Sequence, residues 1–125
     1  KRHDPRKANQ VQVREVVGDV EGRVCLLVDD MIDTAGTICQ AAAALSERGA
    51  AKVIAACTHA VFSGPAVERL NAAPFEEIIV TNTLPTPTRD QVDKLTVLSI
   101  APLLARAIHE VFEDGSVTSL FPEAF

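Results

Sequence analysis

A chain of 125 residues, 47% hydrophobic and 23% charged, has the size of one domain and the apolar content to bury a core, which excludes disorder as its main state. No apolar run approaches the roughly 20 residues of a membrane helix, and Lys1-Arg2-His3-Asp4 has no apolar stretch behind it, so neither a membrane span nor a secretory leader is expected. The net charge of −5 hides an asymmetry, since residues 1–7 carry four Lys/Arg against one acid while the rest carry eight against sixteen; a basic arm on an acidic body fits a small anionic ligand and argues against nucleic acid, which needs a broad basic face.

The absent initiator Met points to a piece of a longer protein. Cys25, Cys39 and Cys57 lie in apolar stretches without metal spacing. An odd number of such thiols reads as reduced, buried core cysteines in the cytoplasm, with no chemistry of their own.

In chain order, residues 11–17 alternate loosely and predict a strand near a sheet edge, followed by a turn at 19–22. Residues 24–28 (VCLLV) are a continuous apolar run, the pattern of a strand covered on both faces, ending at Asp29-Asp30. From 37 to 48 the period becomes helical, with Ile38, Ala41, Ala42 and Leu45 on one stripe and Gly49 placed to stop the helix. A second apolar run at 53–57 completes a strand–helix–strand unit, whose handedness forces a parallel pair.

The alternation then repeats. Residues 63–71 predict a helix capped by Ser63 with Pro65 in its first turn, 77–81 a buried strand, and 83–90, with Pro85 and Pro87, a loop. Residues 95–99 predict a fourth strand and 100–112 a closing helix with Pro102 in its first turn. The expected fold class is therefore α/β: one domain with an open, mainly parallel sheet flanked by helices.

In such sheets ligands bind beyond the carboxyl ends of the strands. There the first central strand offers Asp29, Asp30 and Asp33, three mutually repelling carboxylates without a nearby base, suited to cations or sugar hydroxyls. Thr34, Ala35, Gly36 and Thr37 then lead into a helix N-terminus, where free amides and the helix dipole favour a phosphate. Together the two halves fit a phosphorylated sugar. His59, at a strand end, reads either as a group aimed at this site or as a hydrogen-bonded packing residue, with packing preferred. His109 reads as surface.

The run from Val28 to Thr37 (VDDMIDTAGT) resembles the phosphoribosyl-diphosphate loop of type I phosphoribosyltransferase-fold proteins, and more narrowly that of the ribose-phosphate pyrophosphokinase family. Residues 17–20 (VGDV), 58–64 (THAVFSG), 81–83 (TNT) and 116–121 (SVTSLF) extend the likeness in order along the chain, as in the C-terminal half of such an enzyme. The resemblance implies a phosphoribosyltransferase-like domain over residues 1–125, with residues 1–9 as a mobile basic arm. It implies transfer of diphosphate from Mg-ATP to the 1-hydroxyl of ribose 5-phosphate, giving phosphoribosyl diphosphate and AMP for nucleotide biosynthesis. Such chemistry depends on positioning and charge stabilisation.

By that pattern Asp29 and Asp33 hold the ribose hydroxyls and the associated Mg²⁺, and Thr34, Ala35, Gly36 and Thr37 hold the 5-phosphate. Asp30 faces the same site or braces the loop. Lys1 matches the lysine of the family's mobile loop. His3 stands where its arginine is expected, which leaves Arg2 or Arg6 as substitutes. Ser116 and Thr118 match positions where family members bind an inhibitory phosphate or ADP. The family further implies a cytoplasmic homo-oligomer, often a hexamer. With Phe 5, Trp 0 and Tyr 0, no aromatic adenine pocket is evident, so ATP is expected to need residues outside this chain and the chain alone to have little activity. The alternatives are a phosphoribosyltransferase that consumes phosphoribosyl diphosphate, a non-catalytic synthetase-associated subunit marked by loss of the loop acids, and a phosphate-sensing binding module.

Overall fold

The computed structural model describes Val16 and residues 18–121. The basic arm, with Lys1, Arg2 and His3, and all but Val16 of the strand expected at 11–17 lie outside the described residues. Four strands, β1 (Val24–Ile32), β2 (Lys52–Ala60), β3 (Glu77–Thr81) and β4 (Leu95–Leu98), form one parallel sheet in the order β1-β2-β3-β4. Helices α1 (Gly36–Glu47) and α2 (Ala66–Ala72) connect β1 to β2 and β2 to β3; β3 reaches β4 through the proline-bearing loop. The expected α/β class with a parallel sheet is what the chain forms.

The strand order explains the packing. Right-handed crossovers that always advance in the same direction place their helices on one face of the sheet. The core lies there: Ile38, Ala42 and Leu45 of α1 and Leu70 of α2 are buried with Val53, Ala55 and Cys57 of β2, Ile78 and Val80 of β3, and Leu95 of β4. Ala42 and Ala55 have no exposed surface, so small side chains allow α1 to approach the sheet closely. After α1, the Gly49 N–H reaches Ser46 O at 3.0 Å and the Ala50 N–H reaches Leu45 O at 3.1 Å, with Gly49 at φ 86°. That pairing is a Schellman stop, and glycine meets its left-handed requirement without strain.

The other face corrects an expectation. The run 24–28 was expected to be covered on both sides, yet Val24, Leu26 and Val28 are 61%, 58% and 74% exposed. No described helix crosses above them, because both connecting helices lie on the opposite side. Helix α3 (Ala101–Phe112) follows β4 with Pro102 in its first turn, but it packs only on the short 3-10 helix Val117–Leu120. Leu104, Ile108 and Val111 on its apolar stripe remain exposed. Of the three cysteines expected in the core, Cys57 is buried while Cys25 and Cys39 are half-buried.

Candidate functional site at the carboxyl end of the sheet

The strand β1 outlasts its apolar run. Asp29, Met31 and Ile32 stay in register with Cys57, His59 and Ala60 of β2, so backbone pairing carries the acids on the strand itself. Exposed strand ends tolerate carboxylates because the ladder uses only main-chain groups. Asp29 is also fixed from behind: the Asp30 N–H donates to Asp29 Oδ1 at 2.8 Å. The turn follows at Asp33 and Thr34, and Ala35 adopts φ 61°, ψ 6° as the residue preceding α1.

Asp29, Asp33, Thr34, Ala35, Gly36 and Thr37 line one open cleft of 180 Å³, floored by Met31, Ile32 and Ile38. Asp30 is the exception: alternation turns it to the other side of β1, and it is not among the cleft residues. Asp29, Asp30 and Asp33 are exposed, and among the described residues none has a salt-bridge partner. No side chain caps α1. The first helical bond runs from the Cys39 N–H to Ala35 O at 3.1 Å, so the preceding amides of the first turn are left for a ligand or water.

The connection from β2 to α2 borders this loop. Ser63, expected to cap a helix, does not: α2 begins at Ala66, and the Ser63 hydroxyl donates to Asp33 Oδ1 while its N–H reaches Asp33 O at 3.0 Å. One carboxylate oxygen of Asp33 is thereby fixed and the other left available. Arg69 of α2 donates from Nη1 to Thr34 O at 2.9 Å. The sequence suggests no role at the cleft for either Ser63 or Arg69. The available signal for Arg69 was its being the one cation in the 63–71 segment, on the helix after the strand adjacent to the acidic one.

His59 is half-buried with Nδ1 2.8 Å from Thr83 Oγ1, and Thr83 and Thr81 both donate to Thr58 O, at 3.2 and 2.6 Å. These bonds tie the ends of β2 and β3 together, which is the packing alternative for His59. His109 is exposed on α3, as expected. Burial pushes the Cys57 thiol above its ordinary range; it does the same to Cys39, against the opposing pull of the Arg69 guanidinium. Ser116 and Thr118 lie at the 3-10 turn beside α3, their hydroxyls hydrogen bonded to one another. Among the described residues no three His, Cys, Asp or Glu side chains gather into a metal cage. Two exposed carboxylates instead suit a magnesium ion whose other ligands come from substrate and water.

Fold and cleft define an open parallel α/β domain with an acidic cleft at the strand ends, bordered by the free amides of a helix N-terminus. The chain matches the phosphoribosyl synthetase-associated domain over residues 5–122, and it belongs to that family. It is 63% identical over 123 residues to the ribose-phosphate pyrophosphokinase of Streptomyces avermitilis, covering 98% of this chain and 38% of that protein. Its identity to the ribose-phosphate pyrophosphokinase of Corynebacterium glutamicum is 60% over 114 residues, or 91% of this chain and 35% of that one. The crystal structure of phosphoribosylpyrophosphate synthetase from Mycobacterium smegmatis superposes with a TM-score of 0.75 at 56% identity, covering 79% of this chain and 33% of that chain. The chain thus spans little more than a third of the length of the curated relatives it matches.

Proposed function

We propose that this chain carries the ribose 5-phosphate site of a ribose-phosphate diphosphokinase, the enzyme that moves diphosphate from Mg-ATP to the sugar's 1-hydroxyl and releases AMP. The observation that carries the reading is the cleft itself: exposed Asp29 and Asp33 at one end and an uncapped helix N-terminus at the other. Asp29 and Asp33 accept from the sugar hydroxyls, and the amides of Ala35, Gly36 and Thr37, with the Thr34 and Thr37 hydroxyls, receive the 5-phosphate. When bound, magnesium neutralises charge on the substrate oxygens, and the two aspartates are the residues to hold it. Lys1, with Arg2, His3 or Arg6, is assigned to the charge of the transferring phosphates, and Ser116 and Thr118 to an inhibitory anion. The intact enzyme is proposed to be a cytoplasmic homo-oligomer. No helix among the described residues is long and apolar enough to cross a membrane.

Names at 50–63% identity support the kinase over a transferase that consumes its product, and the intact loop acids speak against a non-catalytic subunit. Calorimetric titration of the chain with ribose 5-phosphate tests the site. Binding is expected to require Mg²⁺ and to weaken roughly 10- to 100-fold in Asp33→Asn, the scale of one charged hydrogen bond. Binding indifferent to Mg²⁺ and to Asp33→Asn would overturn the assignment. Formation of AMP from ATP and ribose 5-phosphate by the full-length enzyme tests the reaction, and a strict need for a purine or pyrimidine acceptor would reverse it.

A further inference from the structure

Three successive carbonyls of the β1–α1 connection are taken up from the same side. Ile32 O accepts from the Val61 and Phe62 N–H groups at 3.1 and 3.0 Å, Asp33 O from the Ser63 N–H at 3.0 Å, and Thr34 O from Arg69 Nη1 at 2.9 Å. The first three donors are main-chain groups, which most sequences could supply. The last is a side chain reaching across 35 positions of sequence.

Across a planar trans peptide the C=O and N–H point in opposite directions. A Thr34 carbonyl tethered toward α2 therefore turns the Ala35 N–H away from α2. Ala35 and Gly36 line the cleft, and successive N–H groups turned to one side form a concavity for an anion. Ala35 holds its left-handed φ of 61° at this point, a conformation that persists in a residue with a Cβ only where its surroundings over-determine it.

Two further observations separate positioning from simple charge neutralisation. Arg69 has no carboxylate within salt-bridge distance among the described residues, although the loop beside it is rich in acids; it grips a carbonyl instead. A Cβ built on Gly36 would lie 3.3 Å from Arg69 Nη1, so the guanidinium passes tightly against the loop backbone where the chain has a glycine.

We infer that Arg69 is a positioning residue of the sugar-phosphate site: holding the Thr34 carbonyl, it fixes the Ala35 amide at the start of the phosphate loop without itself touching the ligand. The inference rests on the functional reading above and adds to it a residue from a different element. Arg69 is exposed, so its replacement leaves the core intact.

The test compares Arg69→Met, which keeps the stem and loses the donor, with Arg69→Lys, which keeps one donor. In calorimetric titrations of the chain with ribose 5-phosphate and Mg²⁺, Arg69→Met is expected to bind roughly 10- to 100-fold more weakly. Arg69→Lys should fall between it and the unsubstituted chain. In the ligand-free chain, ¹⁵N order parameters at Ala35 and Gly36 should fall from about 0.85 toward about 0.6 in Arg69→Met, while those of Ile78 and Val80 hold. An Arg69→Met chain that binds like the original, or whose loop is equally rigid, overturns the inference. Should the unsubstituted chain itself fail to bind ribose 5-phosphate, the functional reading falls, and the order parameters alone decide whether Arg69 holds the loop.

Discussion

The two faces of the sheet have similar apolar sequences and opposite surroundings. On the helix-covered face, Ala55, Ile78, Leu70 and Ala42 pack without exposed surface. On the other, Leu26 and Val28 lie in register beside half-buried Ile54 and Ala56 and are themselves exposed. Strand order, not hydrophobicity, decides which face is closed: a sheet that advances in one direction receives all its right-handed crossovers on one side. The site follows the same rule. The elements that brace the β1–α1 loop are the connections on the covered side.

Truncating one leucine on each face tests this asymmetry most directly. Leu70→Ala removes a fully buried side chain and should lower stability by about 2–5 kcal/mol. Leu26→Ala, at 58% exposure, should stay within roughly 0.5 kcal/mol of the original chain. Urea unfolding of both variants measures the contrast. A loss at Leu26 equal to that at Leu70 would mean that its face is covered in solution.

A single type of substitution with opposite signs sharpens the contrast between core and site. Ala42 sits in mid-helix without exposed surface, and Ala42→Gly should cost about 1 kcal/mol in propensity, with lost packing added to it. Ala35 has the left-handed backbone for which glycine is suited. Ala35→Gly relieves strain of about 1–2 kcal/mol against a glycine entropy cost of about 0.5–1 kcal/mol. The net expectation is a gain between zero and about 1.5 kcal/mol, read from thermal midpoints. A clear loss at Ala35, a residue 5% exposed, would show that its Cβ contributes more to packing than its backbone costs.

What was legible in the sequence was whatever is local. The stripe of Ile38, Ala42 and Leu45 with Gly49 behind it located α1 to within a residue, and the apolar runs located the strands. The acids and the turn residues of the cleft were readable because they are consecutive. Boundaries failed where backbone pairing ignores side chains: β1 continues through Asp29 and Asp30 because β2 is there to pair with it. Ser63 has the chemistry of a helix cap, but its partner is Asp33, 30 positions earlier, and no local pattern announces that contact. Arg69 was hidden for the same reason. The run 24–28 says that its residues are apolar, not what lies over each face.

The smallest expected effects come from titration, and they too separate inside from outside. The Lys52 ammonium and Glu76 carboxylate pair at 2.9 Å with both side chains about half exposed. The pairing lowers the Glu76 pKa and raises that of Lys52. A lowered carboxylate pKa gives stability that is present above its ordinary value and disappears as pH falls through the folded one. A raised ammonium pKa gives stability that is lost only as pH climbs through the strongly alkaline folded value. Solvent screens this pair, so added salt should erase most of its contribution. Cys57 behaves differently. Burial raises its thiol pKa, so the folded chain holds a proton that the unfolded chain releases, and stability should decline as pH rises past about 8.5. Salt reaches a buried thiol poorly, and Cys57→Ala should flatten that alkaline decline while leaving the acid limb in place. Thermal midpoints measured across pH at low and high salt check both limbs at once, and an alkaline decline that salt abolishes or that Cys57→Ala leaves untouched would remove the buried thiol from the account.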